Sequence, residues 1–229
     1  MSSRATPNQA NIRELFQRGV EYIRLRKYKQ ALACFDEILE SEPHRINAWY
    51  NRGVVLYQLR KYQTAIESYD KAIGLAPDYS RAWNSKGKAL SQLGKHQEAL
   101  ECFENATHLD PAMADAWNNR GMELSKLNRQ TEALECFERA IQIDPSFAIA
   151  WFNKGTRMLA MDRYDEAVGS FEQALLLDPE FIEAYYHLGL TFEKVGRKEK
   201  AVETLKRVQK LDPKYPGLQE KLESIKKRS

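Results

Sequence analysis

The side chains best suited to covalent or metal chemistry are few: three cysteines, Cys34, Cys102 and Cys136, and four histidines, His44, His96, His108 and His187. Each cysteine falls in a near copy of one hexapeptide, ALACFD at 31–36 and ALECFE at 99–104 and 133–138. An odd number of cysteines with no CxxC pair speaks against a disulfide framework and is compatible with a reducing compartment. Catalysis needs a nucleophile, base or metal held within reach of its partners, and the four histidines are scattered along the chain. HExxH, a Gly-rich phosphate loop and GxSxG are all missing. Carboxylates such as Glu37 and Glu40, or Glu132 and Glu135, recur at helical spacing on polar faces, which describes a solvated surface. Enzymatic activity is therefore not expected, and neither is a metal or other cofactor.

Composition narrows the remaining classes. Of 229 residues, 43% are hydrophobic, enough to bury a core, and 35 Lys and Arg nearly balance 32 Asp and Glu. A net charge of +3 creates no strong field of one sign, so nucleic acid is not implied. The basic clusters are short: Lys226, Lys227 and Arg228 form one, and Glu199 interrupts Arg197, Lys198 and Lys200. No stretch is apolar for long enough to span a membrane, and the opening MSSRATPNQAN lacks the apolar core of a secretory signal. The expected location is cytoplasmic.

The cysteines belong to a period. Glycines stand at 19, 53, 87, 121, 155 and 189, alanines at 31, 65, 99, 133, 167 and 201, and prolines at 43, 77, 111, 145, 179 and 213, always 34 residues apart. A fixed period of this length marks a repeat architecture. Units run over 12–45, 46–79, 80–113, 114–147, 148–181 and 182–215, without insertion or deletion. Residues 1–11 precede them as a flexible segment and 216–229 follow.

Each unit reads as two helices. In AWNNRGMELSKL, Trp117, Gly121 and Leu124 share one face; in TEALECFERAIQI, Ala133, Phe137 and Ala140 do, widened by Leu134 and Ile141. A short polar turn joins them, and Asp-Pro or its equivalent ends the second. Glycine inside a helix costs roughly 1 kcal/mol relative to alanine, so six at one phase need an offsetting benefit. Close approach of the paired helix supplies it, with Phe35, Tyr69, Phe103, Phe137 and Phe171 filling the adjoining space. The cysteines fall at position 23 of their units, where the others have Ser68, Ser170 and Thr204; small size is the shared property. Successive hairpins lie roughly 8 to 10 Å apart, whereas a disulfide needs Cα atoms within about 7 Å. Free thiols are expected.

At these residues the chain resembles the tetratricopeptide repeat (TPR) family, whose 34-residue hairpin sets Trp, Leu, Gly, Tyr, Ala, Phe, Ala and Pro at fixed positions. Trp49, Trp83, Trp117 and Trp151 precede their glycines as that pattern requires. The departures are Arg18, Arg52, Lys86, Arg120 and Lys154 at the family's Leu, and Leu56, Leu90, Leu124 and Met158 at its Tyr. A cationic side chain can pack its stem there and keep its head in water. The resemblance implies an all-α, right-handed superhelical solenoid of six helix-turn-helix repeats. The segment LQEKLESIKKRS, with Leu218, Leu222 and Ile225 at helical spacing, reads as a C-terminal capping helix.

The resemblance also implies a non-catalytic scaffold that holds an extended peptide of a partner protein along its first helices. Position 5 of the units reads Phe16, Tyr50, Asn84, Asn118, Phe152 and Tyr186; position 6 reads Gln17, Asn51, Ser85, Asn119, Asn153 and His187; position 9 includes Lys88. Asn both donates and accepts hydrogen bonds, so an amide row can pair with a peptide backbone while the aromatics hold apolar anchors. Equally, the same Asn can satisfy contacts between repeats and the aromatics can pack between helices. The family's clamp for acidic chaperone tails is poorly matched: aligned on Asn84, Lys88 and Asn119, it meets Ile149 and Asn153 where two cations are required. The alternatives to a peptide-binding scaffold are an assembly factor or chaperone adaptor for a multiprotein complex, and a regular repeat without a dedicated ligand. Self-association through the groove or an uncovered end is a further possibility.

Overall fold

In the computed structural model the described residues are 9–227, all in helices or short connections. The helices are α1 (Gln9–Arg24), α2 (Tyr28–Ser41), α3 (Ile46–Gln58), α4 (Tyr62–Leu75), α5 (Ser80–Gln92), α6 (His96–Leu109), α7 (Ala114–Lys126), α8 (Gln130–Ile143), α9 (Ala148–Ala160), α10 (Tyr164–Leu177), α11 (Ile182–Lys194), α12 (Lys198–Leu211) and α13 (Leu218–Lys227). Residues 1–8 of the segment read as flexible, and the side chains of Lys226, Lys227 and Arg228, lie outside the described residues. Residues 9–11 of that segment are helical: none of the three is Gly or Pro, so none of them breaks α1.

The chain forms two compact units, Met1–Asn119 and Arg120–Ser229. In the first, each helix from α1 to α6 packs on the next; in the second, α8 to α13 do the same. This is the helix-pair arrangement of an all-α solenoid. Its close approaches are where the glycines predict them. A Cβ on Gly87 would lie 2.8 Å from the ring of Phe103, and one on Gly155 would lie 2.7 Å from Phe171. Position 20 is Ala in every unit and wholly buried from Ala31 to Ala201. A second wholly buried alanine row, Ala48, Ala82, Ala116, Ala150 and Ala184 at position 3, went unread in the sequence because the first helix already had its Trp and Gly.

Both ends of each second helix have a local cause. Before it, the residue at position 15 is left-handed in every unit: Arg26, Arg60, Gly94, Asn128, Asp162 and Gly196 have φ between 55° and 75°. The next N–H then reaches back five residues to a carbonyl of the first helix, as Lys95 does to Leu90 at 3.0 Å, the Schellman closure. After it, the Asp carboxylates of Asp110, Asp144, Asp178 and Asp212 accept the backbone N–H two residues on, at 2.9 to 3.1 Å. That Asx turn, followed by Pro, releases the chain into the next first helix.

In the second unit α13 packs on α12. Leu218, Leu222 and Ile225 are buried with Leu205 and Val208, and Lys221 pairs with Glu193 of α11.

Candidate functional site

The cations at position 7 are bound into the packing rather than left in water. Arg52 Nε donates to Asp36 at 2.7 Å, Lys86 Nζ lies 2.6 Å from Asp70, and Lys154 Nζ lies 3.0 Å from Glu138. In each case the acid stands at position 25 of the preceding hairpin. The same cations lie 5.6 to 5.7 Å from the rings of Trp49, Trp83 and Trp151, one helical turn back. Those indoles, with Trp117, donate their N–H to the carbonyls of Pro43, Pro77, Pro111 and Pro145 at 2.7 to 3.1 Å. Proline, tryptophan, cation and acid thus join the second, third and fifth hairpins to their predecessors through side chains half removed from water, where such interactions are stronger than on an open surface. Leu188 replaces the cation in the last repeat, and this link is missing there.

The position-5 aromatics are also engaged. Each faces the residue at position 34 of its unit, and Phe16, Tyr50 and Phe152 also face the aromatic of their own second helix. Tyr50 lies 6.0 Å from Tyr69 and 5.1 Å from Tyr79; Phe152 lies 5.9 Å from Phe171 and 4.8 Å from Phe181; Tyr186 lies 4.9 Å from Tyr215. Where Phe16 has Arg45 at position 34, the guanidinium sits 5.7 Å over the ring. The pairing joins residues 29 positions apart, so only the folded hairpin reveals it.

Position 6 meets position 5 of the preceding repeat. Asn119 donates to the Asn84 side-chain oxygen at 3.0 Å, and His187 packs against Phe152 at 5.4 Å between ring centres. Asn84 and Asn118 are buried, with 9% and 4% of their surface accessible, whereas Asn51, Asn119 and Asn153 are half-buried. Asn51 spends its amide N–H on the Asn47 carbonyl of its own helix. Lys88 is exposed, 6.0 Å above the Tyr57 ring. Of the sequence-selected residues, the structure therefore brings together Asn84 with Asn119, Phe152 with His187, and Tyr186 with His187 at 6.0 Å.

The cysteines are buried and form no disulfide. Burial pushes the Cys102 thiol up to about 11, against the opposing pull of Lys86, and likewise raises Cys34. Thiols so protonated are poor nucleophiles. Among the described residues no group of three or more His, Cys, Asp or Glu could hold a metal, and no helix is long and apolar enough to cross a membrane.

Profiles described as tetratricopeptide repeat match residues 16–80, 80–113, 114–147 and 182–215, and one described as TPR repeat matches 155–196. The chain belongs to the tetratricopeptide repeat family. No curated protein matches the sequence. Among solved structures, PilW, titled a widely conserved type IV pilus biogenesis factor, superposes with a TM-score of 0.84 at 23% identity, covering 94% of this chain and 100% of its own. The pilF protein of Pseudomonas aeruginosa gives 0.81 at 18%, over 91% and 95%. YrrB, titled a TPR protein with an unusual peptide-binding site, gives 0.67 at 24%, over 81% and 96%. At these identities the likeness shows the shared fold.

Within this TPR fold, sequence reasoning located the position-5 and position-6 rows but missed the acids at position 25 and the partners at position 34. Asp36, Asp70 and Glu138 look like ordinary surface carboxylates until the preceding hairpin is laid beside the cation. A period-34 comparison of charge could have found them.

Proposed function

We propose that this TPR protein is a non-catalytic interaction scaffold that holds an extended segment of a partner protein along its first helices. The six hairpins would stack as one right-handed solenoid with those helices on the concave side, and α13 would act as the cap of the last repeat. Work inside the cytoplasm fits cysteines that form no disulfide and the burial-raised thiols of Cys34 and Cys102.

The observation that carries this reading is how differently two rows of the first helices use their polar groups. The cation and acid rows are consumed in joining hairpins. The same first helices carry half-buried amides at Asn51, Asn119 and Asn153, together with exposed Lys88 and Met122. Such a surface offers hydrogen bonds and apolar contact without a strong charge, suited to a peptide backbone. A preformed helical surface also loses little entropy of its own on binding.

The test is a double substitution, Asn119→Ala with Asn153→Ala, assayed for partner-peptide affinity and for stability in urea. The scaffold reading expects affinity to fall about tenfold, equivalent to two modest hydrogen bonds, with the folded state retained. Unchanged affinity with lowered stability would assign these amides to packing alone.

A further inference from the structure

Position 6 fills the space beside the preceding repeat differently at three places. In the last repeat the imidazole of His187 occupies it, 5.4 Å from Phe152 and 5.9 Å from Phe171. Between the third and fourth hairpins Asn119 reaches Asn84 across it. Between the second and third, the residue is Ser85, whose small side chain, beside Tyr69 in the same lining, leaves the space unfilled. What remains is a recess of about 160 Å³ lined by Tyr50, Val54, Tyr57, Gln58, Tyr69, Ser85 and Lys88.

Its volume is well below the roughly 300 to 1,000 Å³ of a small-molecule site; it suits one side chain. Three tyrosine rings and Val54 give the wall its apolar faces, while Gln58, Ser85 and Lys88 make more of the lining polar than apolar. The one charge in the lining is Lys88, which has no carboxylate partner among the described residues, its ammonium being held only over the Tyr57 ring at 6.0 Å. The acids of the neighbouring hairpins, Asp36 and Asp70, are already paired with Arg52 and Lys86. A hollow with ring faces, a polar edge and an uncompensated cation suits a side chain that lays its apolar body against the rings, followed by a negative one.

We infer that the Ser85 recess is the anchor point of the bound segment, taking an apolar side chain of a partner peptide whose adjacent Asp or Glu pairs with Lys88. The inference rests on the peptide-scaffold reading and adds to it a site and a sequence preference.

The probe is a displayed library of random nonapeptides selected on the full chain, with the selected peptides then measured against Ser85→His and Lys88→Glu. Ser85→His installs the side chain that fills the same place in the last repeat; Lys88→Glu reverses an exposed charge and leaves the recess open, so it reports even where the histidine disturbs folding. The expected result is enrichment of an apolar residue next to Asp or Glu, with binding weakened at least tenfold by each variant. Peptides that bind equally well to wild type and both variants would overturn the anchor while leaving the scaffold reading standing. Selection of no peptide at all would overturn both.

Discussion

Glycine shows most plainly how one residue's role depends on its neighbour. Gly87 and Gly74 both lie within helices, but a Cβ on Gly87 would meet Phe103 at 2.8 Å, whereas one on Gly74 would meet nothing within 4 Å. Gly87→Ala should therefore destabilise the fold by about 1 to 3 kcal/mol through overpacking, while Gly74→Ala should stabilise it by up to about 1 kcal/mol through helix propensity. Urea unfolding of the two variants checks the opposite signs. The close-approach role of Gly87 was legible in the sequence, because it recurs in phase with an aromatic 16 residues on. His187 was not: nothing in a polar position-6 row signals an imidazole wedged among Phe152, Phe171 and Tyr186. Its Nδ1 is buried without a hydrogen-bond partner, and burial lowers its pKa against the weaker opposing effect of Glu183. Above the ordinary histidine value of about 6.5 the ring is neutral in both folded and unfolded chains. As pH falls below that value the unfolded chain takes up the proton first, so stability declines until the folded ring is also protonated. The thermal midpoint of wild type should thus drop more between pH 7 and pH 5 than that of His187→Gln. Equal drops would remove the histidine from this account.

At the level of helices and turns, the two boundaries of the second helix were unequally legible. Proline marks its end in every repeat, and the preceding Asp adds a side-chain acceptor that can be recognised from its spacing. The left-handed residue at its start was hidden, since only Gly94 and Gly196 announce it, while Arg26, Arg60, Asn128 and Asp162 occupy the same conformation. An L-residue pays roughly 1 to 2 kcal/mol there, partly offset by the extra freedom glycine has in the unfolded chain. Arg60→Gly, at φ 58° in an exposed turn, should accordingly raise stability by up to about 1 kcal/mol, read as a higher denaturation midpoint in urea with an unchanged slope. The links between hairpins were half legible. The cations of position 7 stood out as departures from the family pattern, and their stems do pack, but their heads meet acids that no local rule connects to them.

For the molecule as a whole, a strict 34-residue period made the repeat fold plain from sequence, because each unit repeats the same large-and-small complementarity. What the period could not supply was the use of the variable positions. Residues 5 and 6 vary between aromatic, amide and small, and that variation serves packing and surface at once: Asn84 is buried, Asn119 bridges to it, and Ser85 leaves a hollow. Under the proposed function the labour would be divided, with the second helices, the loops and the tryptophan, glycine and cation rows of the first helices holding the hairpins together and the remaining first-helix positions meeting the partner. The most direct test places a photoreactive phenylalanine singly at Val54 or Met122 on the first helices, and at Glu101 or Glu135 on exposed second-helix faces, and irradiates each protein in lysate of the source cells. Adducts of one defined mass from Val54 and Met122, and none from Glu101 or Glu135, are the predicted result; the same adduct arising only from the second-helix positions would contradict it.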